Sequence, residues 1–319
     1  MDEATRPGSA VVFPGMSPCR FADFGKFLLI NPFARKLISQ ANDRLGYSLV
    51  DRFRETEGDY SAYAQVGFML TCVALAQWAE EEQGMSPDYC AGPSFGEKPA
   101  SVYAGALTFP DAVWMTAELA RCLTEFFATE YTDVVTHSFV RTPEEKLTDA
   151  LSQLEGKGEW FDISCYIDHD FYMVSLRERN LDWLKQTVRS MGGLSLYTMR
   201  PPLHSRAFGA LRRKAEDEVL GDLDFHDPLL PIVADQDGEI LRSGEQVRTM
   251  LLDSIVKPLR WPDVVSTLAD NGVGKLWIAG PDTLFGRVRV TTSRFEVVTV
   301  NPRMALQPRR RGAGPSRVS

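Results

Sequence analysis

Five residues, Gly92-Pro93-Ser94-Phe95-Gly96, constrain the fold more than any other part of this chain. They form its only Gly-x-Ser-x-Gly, and they stand between an apolar run, Tyr89-Cys90-Ala91, and a segment of helical character from about Ala100 to Ala106. Strand, tight turn and helix in that order predict an α/β fold. Glycines two places either side of Ser94 give the backbone room for a strained turn. Such a turn exposes the serine hydroxyl and aims the next amide, that of Phe95, at a developing oxyanion. A plain glycine-rich βα turn has the same five letters, so it is the placement that favours the catalytic reading.

The rest of the chain continues the α/β pattern. Ser9 to Phe13, closed by Pro14-Gly15, reads as a buried parallel strand. Asn31 and Pro32 open a helix in which Phe33, Leu37, Ala41 and Leu45 recur every fourth residue, and Gly46 stops it. A second helix, about Tyr63 to Glu82, is apolar almost all round and is expected to be buried, with Gln65 out of place near its start. A third runs from Phe109 to about Phe127. The charged, glycine-containing stretch Arg141 to Gly158 interrupts the pattern and suggests a subdomain boundary near 125 to 140. Strand-like runs at Trp160–Ile167, Phe171–Leu176 and Leu194–Met199, with a helix at Leu181–Met191, form a small α+β module. Beyond Arg200-Pro201-Pro202 come a helix (about Phe208 to Leu220), a strand (Pro231–Ala234), helices at Gly244–Ile255 and Val264–Leu268, and a strand at Lys275–Ala279. The basic tail from about 306 to 319, rich in Pro, Gly and Ser, is expected to be disordered.

Composition narrows the function. The chain has 319 residues, and 35 Lys and Arg against 43 Asp and Glu leave a net charge of −8. That disfavours a broad face for duplex nucleic acid. Unbroken apolar runs such as Phe27 to Ile30 fall far short of the roughly 18 to 20 residues that cross a bilayer. The polar start, Met1 to Arg6, lacks the form of a secretory signal, so the expectation is a cytoplasmic monomer with no membrane partner. Cys19, Cys72, Cys90, Cys122 and Cys165 lie singly, which suits reduced thiols and no metal site.

A serine alkoxide is not available at neutral pH, so Ser94 needs a base. His204 is the best candidate. It follows Pro201-Pro202-Leu203 in a loop leaving a strand, whereas His137, His169 and His226 have no comparable support.

At this point seven ordered segments resemble the malonyl-CoA:acyl-carrier-protein transacylases and the acyltransferase domains of polyketide synthases. Over roughly residues 10 to 290, Val11-Val12-Phe13-Pro14-Gly15-Met16 is similar to the opening strand and Phe-Pro-Gly-Gln turn, and Ala64-Gln65 stands where that family carries a Gln. Gly92 to Glu97 resembles the Gly-His-Ser-x-Gly-Glu elbow, with Ala104 to Val113 following at the family's distance. Pro202-Leu203-His204-Ser205 resembles the catalytic histidine segment, Pro258-Leu259-Arg260-Trp261 the Pro-Val-x-Trp helix, and Gly280-Pro281 the Gly-Pro-Gly turn. The resemblance implies a large α/β-hydrolase-like subdomain with a parallel sheet (1–130 and 198–305) interrupted by a small ferredoxin-like one (131–197), with the acyl group in the cleft between them. It also implies Ser94 as nucleophile and His204 as general base and acid. The amides of Met16 and Phe95 would form the oxyanion hole, and a main-chain carbonyl near Lys257 would orient the histidine.

The departures bear on specificity. The resemblance places Leu119 where malonyl-loading members carry the Arg that pairs the free carboxylate. Arg121, about 200° further round the helix, replaces it only if the helix is rotated or distorted. An unpaired buried carboxylate costs several kcal/mol. Pro93 replaces the family's His, Pro99 sits where it removes an amide and bends the following helix, and His169-Asp170-Phe171 departs from a polar pattern. With Gln65, Trp114, Met115, Leu119 and Leu203 expected around the acyl group, the reading is an acyl chain without a free α-carboxylate, such as an aminoacyl, peptidyl or other bulky group, used in polyketide assembly. The resemblance implies an acyl carrier protein as partner, a thioester held on phosphopantetheine of a carrier or CoA, and no bound cofactor. Arg206, Arg212, Arg213 and Lys214 are the basic cluster expected to meet the acidic carrier. A malonyl transacylase, a carrier-thioester hydrolase and a non-catalytic carrier-binding scaffold stay open as alternatives.

Overall fold

The chain is seen here as a computed structural model that describes residues 7–56, 58 and 60–307. The expected disorder of the tail therefore lies outside the described residues from 308 onward, as does Met1 to Arg6. In chain order the strands are β1 (Gly8–Val12), β2 (Tyr89–Ala91), β3 (Val134–Val140), β4 (Phe161–Asp168), β5 (Phe171–Arg177), β6 (Leu194–Met199), β7 (Ile232–Val233), β8 (Ile240–Leu241), β9 (Leu259–Arg260), β10 (Val273–Ala279) and β11 (Glu296–Val300). The helices that matter below are α1 (Phe21–Ile30), α2 (Pro32–Leu45), α3 (Leu49–Glu55), α4 (Ala62–Gln83), α5 (Glu97–Tyr103), α6 (Phe109–Thr129), α7 (Glu144–Glu155), α8 (Leu181–Ser190), α9 (Gly209–Ala215), α10 (Gly244–Val256) and α11 (Trp261–Asp270).

A six-stranded sheet in the order β11-β10-β1-β2-β7-β8 is parallel except for β8, which runs antiparallel to β7. Ala10, Val11 and Val12 of central β1 are fully buried because both faces of a parallel sheet are covered. Side-chain alternation sends Val11 to a core built on α4 and α6, and Ala10 and Val12 to a second core with Trp261 and Leu268 of α11. The helix signals of the sequence operate as physics requires. The Asn31 side chain accepts from the amides of Phe33 and Ala34, and Gly46 ends α2 at φ +75°. At 22 residues α4 is long and apolar enough to cross a membrane by length and composition, but 78% of its most apolar window is buried within the protein.

The second sheet has the order β6-β3-β5-β4-β9. Strands β3 to β6 with α7 and α8 make a ferredoxin-like βαββαβ unit whose helices cover one face through Leu147, Leu151, Leu184 and Val188. Its other face presents Cys165, Ile167, Phe171 and Met173 to the core that also holds Ala10 and Val12. The edge strand β9 pairs parallel with β4 and comes from well beyond the insertion, so the small sheet is completed by the large unit.

Two elements of the small unit differ from the sequence reading. The stretch read as an interruption contains α7, whose Leu147, Ala150, Leu151 and Leu154 are buried at helical spacing while the charges lie on its outer face. β3 carries Thr136, His137 and Ser138 inside the protein. The Thr136 hydroxyl is satisfied by Ser175, 2.7 Å away, and Ser175 in turn meets Ser164. Polar letters hid a buried strand. Helix α5 begins at Glu97 rather than near Ala100, so Pro99 lies in its first turn, where no intrahelical bond is lost and no bend is required.

Candidate active site

Ser94 opens a 3₁₀ turn, Ser94–Gly96, that links β2 to α5, and it holds φ at +55°. The glycines either side are dictated by backbone proximity. A Cβ on Gly92 would lie 2.1 Å from the Gly96 carbonyl oxygen, and one on Gly96 would lie 2.0 Å from that of Phe13. The elbow is thus wedged against the end of β1, which carries on into Gly15 and Met16. The Ser94 amide donates to Asp235 Oδ2 at 2.5 Å, tying the turn to the segment after β7.

His204 reaches the same point from the loop after β6. Its Nε2 is 2.8 Å from Ser94 Oγ, and the residue is only 3% exposed. Like the serine it holds a positive φ, +60°. Its successor fixes the loop: the Ser205 amide donates to the Ile255 carbonyl, the Ser205 hydroxyl donates to Asp162, and Arg206 Nε donates to Asp162 at 3.2 Å. Burial pushes the imidazole pKa down to about 4, while the main-chain carbonyls of Lys257 and Ser254 act in the opposite direction. His204 Nδ1 is buried with no partner at full hydrogen-bond geometry. The ring is neutral at physiological pH and available as a proton acceptor.

Two cavities meet at Ser94. The larger, about 490 Å³, lies between the sheets, with Met16, Ser94 and His204 on one side and Ile167, Met173 and Tyr197 on the other. The smaller, about 90 Å³, runs into the large unit beside Gln65, Phe95, Leu119 and Leu203. Gln65 Nε2 donates to the Tyr60 carbonyl at 3.0 Å. Trp114 lines neither cavity; it packs beneath the Arg44 guanidinium, 5.5 Å from its ring centroid, because its face of α6 turns toward α2. Met115 is fully buried core. Arg121 is committed to Glu118, Glu125 and Glu218 on the outer face of α6.

The basic cluster is largely neutralised within the molecule. Arg212 pairs with Glu216 and Asp253, and Lys214 with Glu125 and Glu218. Arg206 keeps 87% of its side chain exposed beside Asp162, and Arg213 is exposed with no ion pair among the described residues.

Three polar groups at the elbow, Glu97 and Asp235 buried and Lys98 half-buried, escaped the sequence reading. Glu97 accepts from Gln236 Nε2 at 2.7 Å and lies beside Asp235. Burial, then the neighbouring Asp235 charge, pushes the Glu97 carboxyl well up, while burial pushes Asp235 up to about 6. Lys98 follows, with Nζ 4.3 Å from the Phe95 ring centroid, and burial pushes its amine down to about 7. No segment spacing marks these three, since their partners come from the far end of β7. Cys19, Cys72, Cys90, Cys122 and Cys165 are free and buried, and among the described residues no group of three His, Cys, Asp or Glu side chains is placed to hold a metal.

Comparison with known proteins bears on the fold that carries this site. Residues 138–199 match the family model described as VinK acyltransferase small domain. The malonyl CoA-acyl carrier protein transacylase of Bacillus subtilis strain 168 is 23% identical over 299 residues, covering 92% of this chain and 93% of that protein. The polyketide biosynthesis protein ThaF of Burkholderia thailandensis is 26% identical over 290 residues, 87% of this chain but 23% of its own length. Among solved structures, the malonyl-transacylase PlMCAT in complex with the type II polyketide synthase acyl-carrier protein AntF superposes with a TM-score of 0.82 at 22% identity, covering 92% of this chain and 96% of that one. FabD of Acinetobacter baumannii gives 0.82 at 17% identity, with 94% and 96% covered. The α/β architecture with its inserted ferredoxin-like unit is the fold of these solved structures, and over about nine-tenths of its length the chain is similar to the malonyl-CoA:acyl-carrier-protein transacylases.

Proposed function

We propose that this chain is a ping-pong acyltransferase that carries an acyl group on Ser94 between phosphopantetheine thiols, at least one of them on an acyl carrier protein. The observation that carries the reading is the 2.8 Å contact between Ser94 Oγ and a neutral, buried His204 Nε2 at the meeting point of two cavities. Nε2 takes the hydroxyl proton as Oγ attacks the thioester carbonyl, and the oxyanion is received by the amides of Met16 and Phe95. Collapse breaks the C–S bond and the leaving thiolate takes the proton from Nε2. A second thiol then gives its proton to Nε2, attacks the ester, and the Ser94 alkoxide leaves with that proton. The carbonyl of Lys257 steadies the imidazolium formed between these steps.

For the acyl group, the supporting observation is electrostatic. Leu119 is buried in the smaller cavity, Arg121 is held elsewhere, and neither cavity has an arginine in its lining. A free α-carboxylate would therefore be desolvated without a guanidinium, which favours an acyl chain that lacks one. The apolar volume between the sheets suits a bulky, amino-acid-derived acyl group of polyketide assembly. In a chain of net charge −8, Arg206 and Arg213 are the cations left to meet an acidic carrier near the His204 loop.

The reading is tested by how the acyl-enzyme discharges. Intact-protein mass spectrometry should show a carrier thiol clearing the acyl group from Ser94 at least tenfold faster than buffer alone. Equal rates would mean that water is the acceptor and that the chain is a hydrolase.

A further inference from the structure

Among the described residues Lys98 is the one cation that borders the smaller cavity, and the chemistry described so far gives it no work. It sits in the first turn of α5, four residues after Ser94, where helix geometry keeps it next to the elbow. Its Nζ lies 4.3 Å from the Phe95 ring centroid, and no hydrogen bond or ion pair is made by this amine among the described residues. Lys214, Lys257 and Lys275 each find a carboxylate. The adjacent Glu97 carboxylate acts on the amine through its charge, but it is turned to Gln236 and Asp235 and makes no ion pair with Lys98 among the described residues.

An amine placed in this way is costly. Most of the surrounding wall is apolar, including Leu119, Leu203, Leu251 and Ile255. A half-buried amine against such a wall gives up part of its hydration, which a ligand that supplies an acceptor would restore. The cavity also contains Ser94 Oγ, so whatever enters it is attached to, or about to be attached to, the nucleophile.

On the Ser94 acyl-enzyme reading, we propose that Lys98 selects the acyl group by donating to an acceptor oxygen, an amide carbonyl or a carboxylate, carried on the acyl chain close to the thioester. An acyl chain with such an oxygen gives the amine its missing partner, and an alkyl chain of the same shape leaves it stranded. Lys98 thus supplies from α5 the polar contact that Leu119 on α6 does not.

The test uses four pantetheine thioesters in two matched pairs: N-acetylglycyl against 4-methylpentanoyl, and malonyl against 3-methylbutanoyl. Single-turnover loading of the wild-type protein should favour N-acetylglycyl over its alkyl match by about tenfold or more, the size of one hydrogen bond to a charged donor. Lys98→Met should abolish that preference while leaving the alkyl thioesters loading at their original rate. Lys98→Arg should keep part of it. A preference that survives Lys98→Met, or a loss shared equally by all four thioesters, overturns the proposal. If the Lys98-dependent preference appears only in the malonyl pair, Lys98 keeps its role, the ligand is a carboxylate, and the neutral-acyl reading falls. Calorimetric binding of the same thioesters to Ser94→Ala, with and without Lys98→Met, separates the two claims. A Lys98-dependent difference there with no acylation of the wild type sinks the Ser94 chemistry alone, and its absence sinks the role of Lys98.

Discussion

Ser94 and His204 both hold backbone conformations that side chains avoid, with φ at +55° and +60°. A non-glycine residue in this region costs about 1–2 kcal/mol, and the two meet at one 2.8 Å contact. The surrounding structure over-determines them: Asp235 holds the serine amide, and Ser205 anchors the histidine loop to Ile255 and Asp162. The histidine also makes a prediction. A base whose pKa is depressed stays unprotonated to lower pH, so the rate of Ser94 acylation should hold level from pH 8 to about 5.5 and fall with a midpoint near 4. Stopped-flow acylation across that range checks this, and a midpoint at the ordinary histidine value near 6.5 would contradict the burial seen here. Ser94, His204, Gln65 and Leu119 were legible because a motif or an ordered landmark sits on each. Asp235, the state of Glu97 and the isolation of Lys98 were not, because their environment is made by chain segments more than a hundred residues apart.

At the scale of elements, signals with a local cause were readable and those with a tertiary cause were not. Helix α2 declares itself through Asn31, Pro32 and Gly46, and α4 through an unbroken apolar surface. The short helices α1 and α3 and the edge strand β11 went unread. Helix α7 was obscured by five charged residues on its solvent side, although its four apolar positions keep the helical period. That assignment has a measurable consequence. Leu151 is 2% exposed and packs under β3 and β5, so Leu151→Ala should cost about 2–5 kcal/mol of unfolding free energy, read as a lower urea midpoint, while Ser152→Ala on the outer face should change it little. A Leu151→Ala midpoint equal to that of the wild type would mean that this stretch is not packed on the sheet.

Across the whole molecule, the two sheets share one core at Cys165, Ile167 and Met173, and β9 joins the small sheet from the large unit. The cleft is therefore a seam within a continuous packing unit, and Ser94 and His204 are carried to it from opposite sides, 110 residues apart in sequence. The order of the landmarks made the general architecture legible; which residues line each cavity was not, since Trp114 faces α2 and Arg121 faces outward. The account rests on a covalent acyl group at Ser94. Exposing the protein to a panel of acyl pantetheine thioesters and mapping the adduct by peptide mass spectrometry tests it directly. One acyl group on the peptide bearing Ser94, absent in Ser94→Ala and slowed at least a hundredfold in His204→Ala, is the predicted result. An adduct elsewhere, or undiminished labelling of the Ser94→Ala protein, would contradict it.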